Sequence, residues 1–258
     1  MKNRVSAAIL LCVLAIEHVH AFARVMPLHI RVIVIAALSV LVVALRHWSL
    51  AHLSVFLLFS LGVAVINVQA FKVSAISIFV AFTASTVLVR FYGPTRDTLS
   101  WFQKGVIDRA SALLMLGTSV IAALALIIWA EWTDNLGVGF TMMKGVAHYP
   151  TWMVAGIILP LFAVLNAFSE EVAYRGILQE ALQRNLTNTH LVLVLQSSAF
   201  AALHYPAGFP NGILGFLMAF SWGLMLGYLR QRSRGLLAPW LVHLAADLVI
   251  FYYLYSQV

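Results

Sequence analysis

Apolar residues run through this chain in long blocks, and polar residues gather in the gaps between them. Nine blocks stand out, at about residues 5–23, 30–45, 50–70, 73–89, 112–130, 152–168, 191–204, 213–229 and 236–255. A bilayer core of about 30 Å takes about 20 apolar residues as a helix, and most of these blocks approach that length. Apolar and polar positions do not alternate in ~10-residue segments, which argues against a membrane β-barrel. The pattern predicts an all-α fold, a polytopic transmembrane bundle of eight or nine helices. The first block is the weakest, because Glu17, His18 and His20 interrupt its end. Read as a segment lying on the surface, it lowers the count to eight. Lys2 and Arg4 before this block, and Ala21-Phe22-Ala23 after it, resemble a cleavable signal. A retained helix is the better expectation, since every later block is also a span.

Composition supports this reading. The chain has 258 residues, 62% hydrophobic and 10% charged, with mean hydropathy +0.95. Soluble domains carry about 25% charged residues. The net charge of +7 sits in clusters: Arg90, Arg96, Lys104 and Arg109, then Arg175 and Arg184, then Arg230, Arg232 and Arg234. Loops 131–150 and 205–211 between them are nearly free of positive charge. Lysine and arginine mark the cytoplasmic side, and membrane lipid is the partner they imply. Arg24, Arg31 and Lys72 fall on the other side in a nine-helix count. Basic residues do not interleave with aromatics as a nucleic-acid surface requires. The lone Cys12 excludes an internal disulfide. Residues 93–109 form a polar connector, with Trp101, Phe102 and Val106 expected on the membrane surface. The chain divides there: 1–92 are transmembrane helices without a recognised motif, and 93–258 hold every candidate functional group.

Those groups fall in three segments. The first is Glu170-Glu171-x-x-x-Arg175. In a helix Glu171 and Arg175 share a face and can pair. Glu170 is turned about 100° away and stays free of that arginine. Asn166, one turn earlier, is placed to orient Glu170, and Pro160 predicts a kink before it. The bland alternative is a solvated helix end. The second segment is Phe200-x-x-x-His204, a histidine closing an apolar helix before Pro206 and Gly208; alone, it reads as an interfacial histidine bonded to a freed carbonyl. The third is His243-x-x-x-Asp247, an ionisable pair inside a span, which is a functional hypothesis by default. Together they supply a free carboxylate, two imidazoles and a supporting carboxylate, a set able to activate water. His-Glu-x-x-His, Gly-x-Ser-x-Gly and P-loop signatures are absent.

The ordered set of motifs resembles the CPBP family, the CAAX proteases and bacteriocin-processing (Abi) enzymes that include the Ras-converting endopeptidases. The resemblance spans about residues 110–255. It implies a multi-helix intramembrane endopeptidase of the glutamate type, similar to CAAX prenyl protease type 2, in the inner membrane of a bacterium, acting on a membrane-associated protein or peptide. Glu170 would be the base that activates water, His204 would share that water, and His243 with Asp247 would stabilise the oxyanion. Glu171 and Arg175 would be structural. Many members carry asparagine at the position of Asp247; an ionised aspartate only accepts hydrogen bonds, so its expected role is to orient and charge His243. No cofactor is expected. A zinc-dependent version would use Glu170, His204 and His243. The alternative outside catalysis is a membrane scaffold or immunity protein that uses the polar cluster for packing.

Overall fold

The computed structural model describes residues 4–23, 26–66, 74–133, 143–206 and 209–258. Lys2, Arg24, Lys72 and Gly208, which entered the sequence reading, lie outside them. All regular structure among the described residues is helical. The helices are α1 (Arg4–Ala23), α2 (Leu28–Ala44), α3 (Ala51–Ile66), α4 (Ser74–Phe91), α5 (Arg109–Thr133), α6 (Thr151–Asn185), α7 (Thr189–His204), α8 (Gly212–Ser233) and α9 (Leu237–Ser256). Among the described residues six helices are long and apolar enough to cross a membrane: α1, α3 with the short turn before it, α5, α6, α8 and α9. The expected count of eight or nine is not confirmed: six reach full length. Three other apolar helices, α2, α4 and α7, are shorter. The 16 residues of α7 extend about 24 Å, less than the bilayer core.

The largest departure from the sequence reading is α6. The apolar block was expected to end near Phe168, with Glu170 just beyond it. The helix instead continues to Asn185, 35 residues in all. Its polar second half is not solvated: Glu171, Arg175 and Gln179 are buried, and the Gln179 amide donates to the carbonyl of Gly227 on α8 (3.2 Å). Hydropathy registers these residues as an exit from the membrane because it cannot see partners supplied by other helices. Glu170 consequently stands near the helix midpoint.

Two stretches of α6 are wound as π-helix, Val154–Ile158 and Glu171–Leu178. The first directly precedes Pro160, the position of the expected kink. Proline lacks an N–H and its ring clashes with the preceding turn. Ala155 lies five residues earlier, and its carbonyl accepts from the hydroxyl of Tyr252 on α9 instead. The second stretch carries the glutamate motif. Such windings are frequent at functional sites.

A stripe of small residues joins α8 to α7. Gly215, Ala219, Gly223 and Gly227 recur every fourth residue and are buried. A Cβ on Gly223 would lie 3.0 Å from the Cα of Ser197. That closeness lets Gln196 donate to the carbonyl of Gly223 at 2.8 Å. In an apolar solvent, helices associate through such close packing and polar links.

The first half of the chain shares a core with the second. Leu10 and Leu14 of α1, Leu53 and Phe56 of α3 and Ala81 of α4 pack with Val172, Ile177 and Leu182 of α6. Glu17, His18 and His20 do not terminate α1, which runs on to Ala23. Glu17 pairs with Arg31 of α2 at 2.5 Å, and His18 Nε2 lies 3.1 Å from Ser198 Oγ of α7.

The connector differs from the expected surface segment. Trp101 is fully buried, seated over Gly176, where a Cβ would stand 2.6 Å from its ring. Phe102 and Val106 are exposed, as expected. Residues 103–106 are clasped to the turn before α9: Val106 N–H donates to Ser233 (2.8 Å), and Leu236 N–H donates to Gln103 (2.9 Å). Gly105 takes φ +80° here, against the backbone of Gly235. Asp108 caps α5 by accepting from Ser111 N–H (2.7 Å) and pairs with Arg232 (2.9 Å). The Ser111 backbone N–H and hydroxyl, with the charge of Arg232, hold the Asp108 carboxyl below its ordinary range.

Candidate active site

The site forms where α6, α7 and α9 meet around the imidazole of His243. Glu170 and Glu171 are neighbours, so their side chains diverge around the helix. The imidazole lies in that divergence with a nitrogen toward each. Glu171 Oε1 is 2.7 Å from His243 Nδ1, and Glu170 Oε2 is 3.5 Å from Nε2. A carboxylate accepts, so the Nδ1 proton belongs to the Glu171 link.

Glu171 Oε1 also receives Arg175 Nη1 at 2.9 Å, with Glu171 and Arg175 side chains only 1% and 0% exposed. The i,i+4 pair read from the sequence is present, but it is not a solvated helix end. The Arg175 guanidinium lies 4.5 Å above the ring centroid of Phe200, a cation–π contact of the kind that gains strength when desolvated. Phe200 also faces His204 (4.8 Å) and His243 (6.2 Å). Phe200 opens the second motif but had no role assigned from it; its position four residues before His204, on the same helix face, was the available signal.

Asp247 approaches His243 less closely, with Oδ1 3.8 Å from Nε2. Its other oxygen accepts from Asn166 Nδ2 at 3.1 Å. Asn166 was expected to orient Glu170, one turn ahead on the same face. Because α9 packs across that face, Asp247 provides the acceptor. The His243 orienter likewise differs from expectation: Glu171, not Asp247, makes the short contact. The sequence could pair His243 only with residues of its own helix.

His204 closes α7, and its Nδ1 donates to the carbonyl of Phe200 (3.3 Å). That leaves Nε2 as the acceptor of a neutral ring. It does not touch Glu170 directly. Both line one cavity of about 790 Å³, together with Asn166, His243 and Asp247. Tyr174 of α6 and Trp222 of α8 complete its polar end. Trp222 meets the His243 ring edge to face at 6.0 Å. Neither carried a sequence signal, because an aromatic residue in an apolar helix is ordinary. The remaining wall is apolar and includes Ile121 and Ala125 of α5.

The same distances bear on a metal. Zinc binding would need Glu170, His204 and His243 to turn lone pairs on one point. His204 and His243 each commit Nδ1 to a protein acceptor, which leaves Nε2 as the atom either could offer a metal; as the side chains stand, no group of three histidine, cysteine, aspartate or glutamate side chains among the described residues is gathered to hold one.

The fold and site together define a polytopic helical membrane protein with a buried carboxylate–imidazole centre. Residues 150–249 match the family model described as type II CAAX prenyl endopeptidase, Rce1-like. The match contains all three motifs and bears out the resemblance to the CPBP family; through this segment the chain is similar to CAAX-type membrane proteases. No curated protein and no solved structure matches the chain significantly.

Proposed function

We propose that this protein is an intramembrane endopeptidase that hydrolyses a peptide bond of a membrane-associated protein or peptide by way of a water activated by Glu170. The observation that carries the reading is the division between the two glutamates. Glu171 is bound to Arg175 and His243, whereas Glu170 opens on the cavity with its side chain 20% exposed.

In the proposed step, a water between Glu170 and His204 loses a proton to Glu170 while its oxygen attacks the substrate carbonyl carbon. The carbonyl oxygen becomes an oxyanion, stabilised by N–H donation from the His243 imidazolium, whose far nitrogen is held by Glu171. Such a donor in a water-poor site is typically worth about 100- to 1000-fold in rate. The tetrahedral intermediate collapses, the C–N bond breaks, and the proton on Glu170 passes to the leaving amine. Asp247, anchored by Asn166, supports the charge on His243. The proposed location is the inner membrane of a bacterium, and the excess of arginine at one set of helix ends supports an orientation with those ends in the cytoplasm.

The test is cleavage of membrane-anchored peptides by purified protein in detergent. Glu170→Gln keeps the shape and removes the base, so activity should fall about 100- to 10,000-fold with helicity unchanged. Full activity in that variant overturns the mechanism. Loss of activity to phenanthroline, with recovery on adding zinc, would replace it with metal-assisted hydrolysis.

A further inference from the structure

A second cavity, of about 700 Å³, lies away from the catalytic centre, between the end of α4, the turn at 93–102 and the end of α6. Its lining mixes two chemistries. Arg90, Arg96 and Arg184 stand with apolar Phe82 and Phe102, and Asp97 is the one carboxylate among them. Arg184 is occupied: it donates to Glu180 (2.6 Å), to the Asp97 carbonyl (2.6 Å) and to Ser100 (3.0 Å). Arg90 and Arg96 are exposed and make no ion pair among the described residues. Deeper in, Trp101 Nε1 and Thr86 Oγ1 are buried without a hydrogen-bond partner, and both residues line the cavity. Unmade hydrogen bonds of this kind cost stability and point to an acceptor supplied from outside.

The layout is graded. Phe82, Thr86 and Arg90 follow one another at four-residue steps along α4, so the lining passes from ring to hydroxyl to guanidinium over about 12 Å. Phe102 adds exposed apolar surface beside it. The charged rim lies at the arginine-rich end of the bundle, where Arg232 and Asp108 also meet. We infer that this groove is a binding site for one anionic glycerophospholipid, with its phosphate on Arg90 and Arg96, its glycerol ester oxygens near Trp101 and Thr86, and an acyl chain along Phe82 and Phe102. An acidic peptide would use the two arginines but would leave the apolar floor uncovered.

Native mass spectrometry of the full-length protein in detergent tests this, with phosphatidylglycerol or phosphatidylcholine of identical chains added. Each arginine at a membrane surface adds about fivefold to anionic-lipid affinity. Wild-type protein should therefore retain phosphatidylglycerol preferentially, and Arg90→Gln/Arg96→Gln should lose the preference. Both side chains are exposed, and circular dichroism of the double variant is the check that it folds. Arg109→Gln, a control at the same end of the bundle, should keep the preference. Equal retention of the two lipids, a preference that survives in the double variant, or an equal loss in Arg109→Gln overturns the proposal. Displacement of the lipid by an equal concentration of glycerol 3-phosphate also overturns it, by assigning the groove to a soluble phosphate.

Discussion

The two cavities of this protein use similar residues in opposite ways. In the cavity lined by Glu170 and His243 the charges have partners within the chain. Arg175 has Glu171 and the face of Phe200, His243 is bracketed by Glu170 and Glu171, and Asp247 has Asn166. In the arginine groove two guanidiniums face outward with no ion partner among the described residues. The difference follows from solvation. An ionised group deep in a helical bundle is costly unless paired and hydrogen-bonded, so the interior site is assembled as a network. At the rim, water and lipid phosphate do the solvating, and the protein need not supply a partner.

The comparison breaks most readily at Arg175. Arg175→Ala would leave Glu171 buried with His243 as its one remaining partner among those described. Removing one partner of a buried pair costs about 3–5 kcal/mol, so the variant should show a large drop in melting temperature in detergent and poor recovery of folded protein. A melting temperature within error of wild type would show that Glu171 is neutral in the folded protein, and the interior network would have to be redrawn.

Asp247 gives an intermediate effect. Asp247→Asn retains an oxygen that can accept from Asn166, whereas Asp247→Leu removes both the acceptor and the charge. A hydrogen bond to a charged group contributes about 1.5–3 kcal/mol, equivalent to roughly 10- to 150-fold in rate. The leucine variant should lose about that much activity and the asparagine variant much less. Equal losses would mean that the charge of Asp247, not its link to Asn166, is what matters.

The smallest effect belongs to the rim pair. Asp108 is exposed, and its carboxyl is held below its ordinary value of 3.8, chiefly by Ser111. A lowered folded-state value gives a contribution that is complete above the ordinary value and disappears as pH falls through the lowered one. Melts of wild type and Asp108→Ala should therefore differ slightly near neutrality and converge in acid. A gap that widened on acidification would contradict the sign of the shift.

Much of the chemistry was legible in the sequence. Its apolar blocks announced helices, and the three motifs named the side chains that converge on one cavity. The Glu171–Arg175 pair followed from i,i+4 spacing alone. Partners on other helices did not. Glu171 as the short contact of His243, Asn166 as the donor to Asp247, and Phe200 as the platform for Arg175 all depend on helices separated in sequence by 25 to 81 residues. Trp101 was expected at the membrane surface for a related reason: only Gly176, on another helix, makes the slot that buries it.

Sequence by itself determined the helical class, the basic ends and the inventory of ionisable groups, because hydropathy, charge and helical spacing are local properties. Tertiary structure decided the depth of Glu170. A run of Glu, Glu, Arg and Gln ends a membrane span when judged by solvation in water or lipid. Here other helices supply part of the solvation and α6 continues through Asn185, leaving Glu170 near its middle and beside His243.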